Sequence, residues 1–365
     1  MGEICIFTAA RNQRSAIAEK ALVGKFMMKS GLVTIKDLAR ELKISASTVS
    51  RALKNHPDIS EETKRAVHEL AQKLNYQPNA VALSLKQRRS NTIGVIIPEI
   101  VHYFFSSVIS GIEDVAYDAG FNVIICQSNE RYEREVANAK TLLASRVDGI
   151  LVSISKETDD FQHLFNLRNN NVPMVFYDRI VPGLKADQVI IDDFDASYRV
   201  TRHLIDSGRK RIAHFAGPQK LLIGRQRKDG YLKALKEAGL EIDEKLIIEA
   251  DTFEKARLAV MRLINEKREF DGIFAVNDLT AIGAMQTIQK RGIKIPDEIA
   301  IVGFSDGRFS GITEPTLTSV DQHGYEMGSI ATQMLLKRIA AKDNDYPYET
   351  RVLNANLIVR GSSVV

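Results

Sequence analysis

The sequence has few cysteines and no long apolar run. Its two cysteines, Cys5 and Cys126, lie far apart without a paired spacing, which excludes a disulfide framework and a zinc cluster and fits a reducing compartment. No apolar run approaches the roughly 18 residues that a membrane span needs, and residues 1–28 lack the apolar core of a secretory signal peptide. We therefore expect a cytoplasmic protein without a membrane partner.

The motifs of the common doubly wound enzymes are also missing. The chain has no GxGxxG after its first predicted strand, no phosphate-binding GKS or GKT, no GxSxG nucleophile elbow and no HExxH. Its seven histidines, among them His102, His203, His214 and His323, show no metal-ligand spacing, and we expect them to be surface or capped residues. These absences argue against catalytic residues, a bound metal and a cofactor.

The chain does contain an uneven charge distribution. It has 365 residues, of which 44% are hydrophobic and 26% charged, as in ordinary globular proteins of two or three domains. Residues 29–90 carry 12 basic and 6 acidic side chains, whereas residues 91–365 carry 34 basic and 38 acidic ones. A basic module in front of a mildly acidic body indicates a head that binds a polyanion.

Three short helices are predicted in this basic head. Thr34 and Asp37 form a capping-box pattern, and apolar residues follow at helical spacing. A tight break at Lys43 precedes a second helix, which Ser45 can cap, and Ser60 can cap a third. Two short helices this close together predict a helix-turn-helix.

The second predicted helix begins with small side chains, in the stretch ISASTVSRAL, residues 44–53. A helix that enters the major groove of DNA needs short side chains at its N-terminal end, and Arg51 can donate two hydrogen bonds to a guanine edge or contact a phosphate. Cap and first-turn roles alone would also account for Ser45, Ser47 and Thr48, so this stretch leaves both interpretations open.

A longer segment, residues 33–86, resembles the DNA-binding segment of the LacI/GalR family of bacterial transcription regulators. The pieces TVSRAL and LNYQPNAVALSL match that family in order and spacing. The resemblance implies a hinge helix that forms when two subunits lie side by side on a palindromic operator, with a leucine wedged into the minor groove. The implied DNA-binding residues are Thr34, Ala46, Ser47, Thr48, Ser50, Arg51, Asn75, Asn79, Ala82 and Leu85, of which Ala46, Ser47 and Arg51 would contact bases.

The body alternates short β-branched runs with segments that have room for crossover helices, which predicts an α/β class with parallel sheets. The predicted strands are more numerous than a single doubly wound sheet of this length usually holds, so we expect two lobes around a ligand cleft. The resemblance likewise implies a two-lobed domain similar to periplasmic sugar-binding proteins, with two Rossmann-like subdomains. The predicted strands are TIGVIIP, NVIICQS, GILVSI, PMVFYD, QVIID, RIAHFAG, LIIEAD, GIFAVND and IAIVGFSD.

These patterns divide the chain into four parts. Residues 1–31 are an extension of uncertain role, which we expect to be disordered or absent in the cell because family members begin close to Met27 and Met28. A helix-turn-helix domain spans 32–77, and a hinge helix and linker span 78–90. Residues 91–365 form the effector-binding and dimerisation domain, with one lobe at about 91–190 and 321–345 and the other at about 191–320 and 346–365.

Ligand-facing residues are expected where the strands end at their carboxyl edges. Aromatic, carboxylate, amide and arginine side chains there suit a polyhydroxylated or heterocyclic effector, although Asp178 and Asp278 could instead cap helices. Two departures from the family alter the expected pocket: Leu221, Leu222 and Ile223 make it more apolar, and Ser305 stands where many relatives have aspartate. The candidates are Tyr103, Phe104, Asp178, Arg227, Asn277, Asp278, Phe304, Ser305 and Asp306.

Three functions compete at this point. The first is a DNA-binding regulator, in most cases a repressor, controlled by a sugar or related metabolite as its small-molecule effector. The second is a solute-binding protein, which would need a signal peptide and has no use for residues 33–86. The third is an enzyme with a doubly wound fold, which the missing motifs oppose. The sequence favours the regulator, acting as a homodimer.

Overall fold

The computed structural model describes residues 33–77, 89–341 and 347–364. The chain divides into two compact units, Met1–Ser90 and Asn91–Val365. The expected N-terminal extension and most of the hinge segment, including Asn79, Ala82 and Leu85, lie outside the described residues. Within the described ranges, no helix combines the length and the apolar character needed to cross a membrane.

The head consists of three helices around one small core. As predicted, Ser45 and Ser60 cap the second and third helices by accepting hydrogen bonds from the backbone N–H groups of Thr48 and Thr63. The helices are α1 (Ile35–Leu42), α2 (Ala46–Leu53) and α3 (Glu61–Lys73). Their core contains the buried side chains Leu38, Ala39, Val49, Ala52, Val67, Ala71 and Leu74.

The turn between α1 and α2 is tight because Lys43 adopts the left-handed conformation, with φ 50°. At the start of α1, the Thr34 N–H and hydroxyl both donate to the Asp37 carboxylate, at 3.0 and 2.7 Å. The capping pattern and the short turn together produce the helix-turn-helix that the sequence predicts.

The first lobe of the body is a six-stranded, wholly parallel sheet in the order β11-β5-β4-β3-β1-β2. Strand β1 is buried along nearly its whole length, as expected for a central strand covered on both faces. The strands are β1 (Thr92–Ile97), β2 (Asn122–Gln127), β3 (Gly149–Val152), β4 (Met174–Tyr177), β5 (Asp187–Ile191) and β11 (Thr350–Leu353); the helices are α4 (Tyr103–Asp118), α5 (Tyr132–Ala144), α6 (Gln162–Asn169) and α11 (Gly324–Ala340).

The second lobe has a four-stranded parallel sheet in the order β7-β6-β8-β9. His214 of β6 is fully buried and stacks on Tyr231 and Phe274, and burial lowers its pKa to about 4; the expectation of a surface or capped histidine was wrong here. The strands are β6 (Ile212–Ala216), β7 (Ile247–Glu249), β8 (Gly272–Ala275) and β9 (Ala300–Val302); the helices are α7 (Asp193–Asp206), α8 (Leu222–Glu237), α9 (Phe253–Asn265) and α10 (Asp278–Gln289).

The chain passes between the lobes after β5, at β10 (Ser319–Asp321), and again after β11. Strand β10 pairs antiparallel with β12 (Asn356–Ile358). The prediction placed the last crossing near residue 345, but β11 extends the first sheet by pairing with β5, so the crossing follows Leu353. The exposed, polar edge strand TRVL carries too little of the apolar pattern to be recognised in the sequence.

Helices α4 and α11 of the first lobe pack against each other through glycines. A Cβ atom on Gly328 would lie 2.0 Å from the carbonyl oxygen of Val108, and one on Gly111 would lie 2.1 Å from that of Tyr325. Each helix backbone therefore rests directly on the other, at a separation that no other residue type permits.

Candidate functional site

The outer face of α2 carries the side chains predicted to contact DNA. Ser47 and Arg51 are exposed, whereas Ala46 is half-buried against the head core. Among the described residues, none forms a side-chain hydrogen bond or ion pair with the Arg51 guanidinium. An arginine held at the surface of a basic head without a partner has all its donors available for a polyanion.

The hydroxyl groups at the start of α2 already bond to one another. The Ser45 hydroxyl lies 2.7 Å from the Ser47 hydroxyl and 2.8 Å from that of Thr48. The structure is therefore consistent with both interpretations of this stretch: the hydroxyls complete the cap, and Ser47 remains exposed on the outer face. Ser50 is half-buried, and Asn75 follows α3 in the left-handed conformation, exposed, with φ 47°.

A cavity of about 150 Å³ lies in the body, between the carboxyl ends of the two sheets. Five of the nine predicted effector residues line it, and Leu221 and Ile223 supply the expected apolar wall. Phe104 packs edge-on against Phe105, with ring centroids 5.2 Å apart, and gives the cavity an aromatic side. The five predicted residues that line it are Phe104, Asp178, Arg227, Asn277 and Ser305.

Asp178 is the buried acceptor of this cavity. It follows β4 in the left-handed conformation, with φ 57°, and only 6% of its surface is exposed. The nearest cation is Arg179, whose Nε lies 3.8 Å from the carboxylate. Burial raises the pKa of Asp178 to about 6, and the charge of Arg179 only partly opposes this. The carboxylate is therefore available to accept hydrogen bonds from a bound molecule.

Arg227 forms the floor of the cavity and is fixed by three contacts. Its Nε donates to Asp193 at 2.7 Å, its Nη1 donates to the carbonyl of Val276 at 2.7 Å, and its guanidinium lies 3.7 Å from the ring centroid of Phe304. The side chain is buried, so these partners hold it in one orientation.

Four predicted residues do not line the cavity. Phe304 is fully buried under Arg227. Asp306 points away from the cavity and forms a bidentate ion pair with Arg360. The Asp278 carboxylate accepts hydrogen bonds from Gly307, Ser310 and Ser319 and anchors a loop, while the neighbouring Asn277 caps α10. Tyr103 instead lines an adjoining apolar groove, which shares Phe104 and Asn277 with the cavity. Strand ends locate a site, but the local hydrogen bonds decide which way each side chain points.

The sequence reasoning missed a group of paired charges in the cavity wall. Arg179 donates from Nη1 to both carboxylate oxygens of Glu130, at 2.9 and 2.8 Å, and Lys156 Nζ lies 3.1 Å from Asp251. Burial raises the pKa of Glu130, but Arg179 outweighs it, so the pKa is lowered overall. All four residues lie at the carboxyl ends of predicted strands or within two residues of them, so the strand-end rule could have found them.

Two buried nitrogen atoms in the wall have no hydrogen-bond partner among the described residues. They are Arg179 Nε and the side-chain nitrogen of Gln322, whose amide oxygen accepts from the Ser305 hydroxyl at 2.8 Å. Buried polar groups without partners are costly in proteins, so atoms of this kind in a cavity wall indicate a place for a polar ligand.

Comparison with known proteins gives the same two-part division. Residues 34–79 match bacterial regulatory proteins of the lacI family, and residues 90–358 match periplasmic binding proteins and the sugar-binding domain of the LacI family. Catabolite control protein A of Priestia megaterium is 35% identical over 84% of this chain and 92% of its own length. The transcriptional repressor PurR of Vibrio atlanticus (strain LGP32) is 33% identical over 86% of this chain and 94% of its own.

Solved structures extend the likeness to the fold. The lac repressor dimer bound to operator and the anti-inducer ONPF superposes with a TM-score of 0.81 at 25% identity, covering 92% of this chain and all of that one. A complex of the transcriptional regulator CelR with cellobiose has a TM-score of 0.69 at 28% identity, covering 90% and 99%. The chain thus belongs to the LacI family: it is a DNA-binding transcriptional regulator with a periplasmic-binding-protein-like effector domain, and not an enzyme.

Proposed function

We propose that this regulator is a repressor, that it binds a palindromic operator as a homodimer in the cytoplasm, and that a neutral polyhydroxylated metabolite such as a sugar controls its operator affinity. The observation that carries this proposal is the buried Asp178 carboxylate, which faces the interlobe cavity without a hydrogen-bond donor from the described residues. A sugar hydroxyl can supply that donor.

The charges of the wall favour a neutral effector over an anionic one. Among the described residues that line the cavity, each lysine and arginine already has a carboxylate: Arg179 pairs with Glu130, Lys156 with Asp251, and Arg227 with Asp193. No surplus positive charge remains for a phosphate or carboxylate group, while the Phe104 side of the cavity suits the apolar face of a sugar ring. The sugar-binding description of the matched domain and the cellobiose complex of one relative agree with this choice.

In the proposed operator complex, α2 lies in the major groove. Ala46, Ser47 and Arg51 contact base edges, and the exposed position of Ser47 and Arg51 supports this role. The remaining proposed contacts are Thr34, Thr48, Ser50 and Asn75 to phosphates, and the hinge residues Asn79, Ala82 and Leu85 in the minor groove. Effector binding shifts the arrangement of the lobes and thereby the spacing of the two heads.

An apolar groove of about 520 Å³ supports the homodimer. Val101, Tyr103, Phe309 and Ile312 line it, and Val101 and Ile312 are 74% and 75% exposed. Exposed apolar groups concentrated in one place are typical of protein–protein contacts. We therefore place part of the dimer contact at this groove.

Selection of bound sequences from a random DNA duplex library by the purified protein tests the regulator. We expect a palindrome whose recovery changes when neutral sugars are added, whereas the corresponding sugar phosphates have little effect. Recovery of one half-site without symmetry would contradict the homodimer. Recovery of a palindrome that responds only to phosphorylated sugars would leave the regulator intact and refute the neutral effector.

A further inference from the structure

The three hydroxyl groups at the start of α2 share a limited number of protons. The Ser45 Oγ accepts the Thr48 N–H at 3.0 Å, and the same oxygen lies 2.7 Å from the Ser47 hydroxyl and 2.8 Å from the Thr48 hydroxyl. A serine hydroxyl has one proton to donate and two lone pairs that accept. Because the Thr48 N–H occupies one lone pair, Ser45 can donate to one neighbouring hydroxyl and accept from the other.

The Ser47 and Thr48 hydroxyls therefore have opposite hydrogen-bonding character towards an outside partner. The hydroxyl that donates its proton to Ser45 keeps only lone pairs, and the hydroxyl that accepts from Ser45 keeps a proton that it can donate outward. Among the described residues, neither hydroxyl has a further hydrogen-bond partner that could change this balance. Whatever fixes the proton of one hydroxyl thus also fixes the proton of the other.

The proposed contacts with the operator select one of the two arrangements. Ser47 is exposed on the outer face of α2, where it would contact a base, and Thr48 is half-buried beside the cap, where it would contact a phosphate. The oxygens of a DNA phosphate only accept hydrogen bonds, so Thr48 has to donate its proton outward. Thr48 then accepts from Ser45, and Ser47 has to donate to Ser45.

We propose that Ser47 faces the operator as a hydrogen-bond acceptor and selects a donor on a base edge. In the major groove those donors are the N6 amino group of adenine and the N4 amino group of cytosine, whereas guanine and thymine present acceptors. A serine can in general contact either kind of edge, so the bond to Ser45 removes a freedom that an unbonded serine would have. This inference rests on the proposed contacts of Ser47 with a base and of Thr48 with a phosphate.

The base pair that Ser47 contacts is located with Ser47→Ala. Sequences are selected from a random duplex library by the full-length parent and by the variant, and the position whose preference weakens in the variant is the contacted pair. Ser47 is exposed and alanine has the highest helix propensity, so the variant should fold as the parent does.

The contacted atom is then identified by removing single groups from that base pair. One operator lacks the amino group, with purine in place of adenine or pyrimidin-2-one in place of cytosine. A second set lacks one acceptor of the same pair: O4 of thymine, O6 of guanine or N7 of the purine. Fluorescence anisotropy of the parent and of Ser47→Ala on each duplex gives a double-mutant cycle for each atom.

We expect only the amino group to be coupled to Ser47. Its removal should weaken binding of the parent about three- to tenfold more than binding of Ser47→Ala, as the loss of one neutral hydrogen bond does. Removal of an acceptor should weaken the two proteins equally. Coupling of Ser47 to O4, O6 or N7 would overturn the proposal, and so would a base preference that Ser47→Ala leaves unchanged.

Thr48→Val tests the proton coupling itself. Valine has the shape of threonine without its hydroxyl, so Ser45 can now donate to Ser47, and Ser47 can donate to a base. We expect the preference for the amino group at the Ser47 position to relax, although the substituted side chain is proposed to contact only a phosphate. Thr48→Ser keeps the hydroxyl and should retain the pattern of the parent.

Ser50→Ala is the matched control, because it removes another proposed phosphate contact of α2 that lies outside this hydroxyl group. It should weaken binding without changing the coupling of Ser47 to the amino group. Equal behaviour of Thr48→Val and Ser50→Ala would refute the shared proton. Selection of no operator by the parent would contradict the proposed function together with this inference, whereas an operator with the wrong coupled atom would refute this inference alone.

Discussion

At the residue scale, substitution of Arg51 distinguishes base-specific recognition from non-specific electrostatic binding of DNA. It is exposed, has no partner among the described residues, and lies on the outer face of α2. Arg51→Ala should weaken operator binding by about 1–3 kcal/mol and relax the preference at one base position, because a bidentate contact to a base edge is lost. Fluorescence anisotropy with operator and scrambled duplexes measures both effects.

Arg65→Ala is the control for that measurement. Arg65 is also exposed, but it lies on α3, so its removal changes the charge of the head by the same amount without touching the reading helix. It should weaken operator and scrambled duplex about equally. If Arg51→Ala behaves in the same way as Arg65→Ala, Arg51 contacts only phosphates.

The raised pKa of Asp178 predicts how the free energy of unfolding depends on pH. Its pKa in the folded protein is about 6 against an ordinary value of 3.8, so the folded state binds this proton more tightly than the unfolded chain. The ionised carboxylate destabilises the fold above pH 6, and this cost disappears as the pH falls towards 4. Asp178→Asn should therefore raise the free energy of unfolding at pH 7.5 by on the order of 2 kcal/mol and change it little at pH 4.

Urea titrations of both proteins, at the same protein concentration and at each pH, measure this difference in the free energy of unfolding. Asparagine tolerates the left-handed backbone at this position, so the substitution adds no strain of its own. A difference that does not vary with pH would show that the carboxylate is not the cause. The same variant should bind a sugar effector more weakly, because a neutral amide is a poorer acceptor than a carboxylate.

At the element scale, the contact between α4 and α11 depends on Gly328. A methyl group there would lie 2.0 Å from the carbonyl oxygen of Val108, which is backbone and cannot move aside on its own. Gly328→Ala should cost about 1–3 kcal/mol or more in the free energy of unfolding, as overpacked cores do. Gly311→Ala is the matched control, because nothing lies within 4 Å of its added methyl group; equal stability of the two variants would refute the prediction.

The elements also show what the sequence could and could not predict. All nine predicted strands form, because buried parallel strands such as GVII of β1 and GILV of β3 carry a continuous apolar signal, and the more exposed edge strand β2 carries a similar apolar run. Strands β10 to β12 carry no such signal, since they are three or four residues long and partly exposed. Charge pairs such as Lys156–Asp251 join residues 95 positions apart, and no local pattern connects them.

The candidate site was predictable in location rather than in detail. Asp178 and Arg227 were expected because strand ends converge on one edge of a sheet. Asp306 and Asp278 were expected for the same reason, but Arg360 and Ser319 draw their carboxylates away from the cavity. Arg360 lies near the end of the chain, and Ser319 lies on β10, which has no recognisable strand pattern in the sequence. Only the folded structure could therefore correct the assignment.

At the scale of the whole molecule, the apolar groove predicts how the subunits associate. Ile312→Glu would place a charge at a side chain that is 75% exposed in the single chain. It should shift the protein from dimer to monomer, measured by sedimentation, because burying the charge in an interface is costly. Val359→Glu is the control, at a side chain that is 46% exposed and does not line the groove; dimers that survive Ile312→Glu would move the interface elsewhere.

The return of β11 to the first sheet has a consequence for synthesis of the protein on the ribosome. Residues 192–318 supply the four helices and the four-stranded sheet of the second lobe, to which the end of the chain adds only hydrogen bonds such as those of Ser362 and Ser363, whereas the first lobe needs α11 and β11 from the end of the chain. The second lobe can therefore fold while translation continues, and β5 remains an unpaired sheet edge until the last residues emerge. A chain stalled before residue 324 should hold a protease-resistant second lobe beside a first lobe that is still susceptible, and only release of the finished chain should make both resistant.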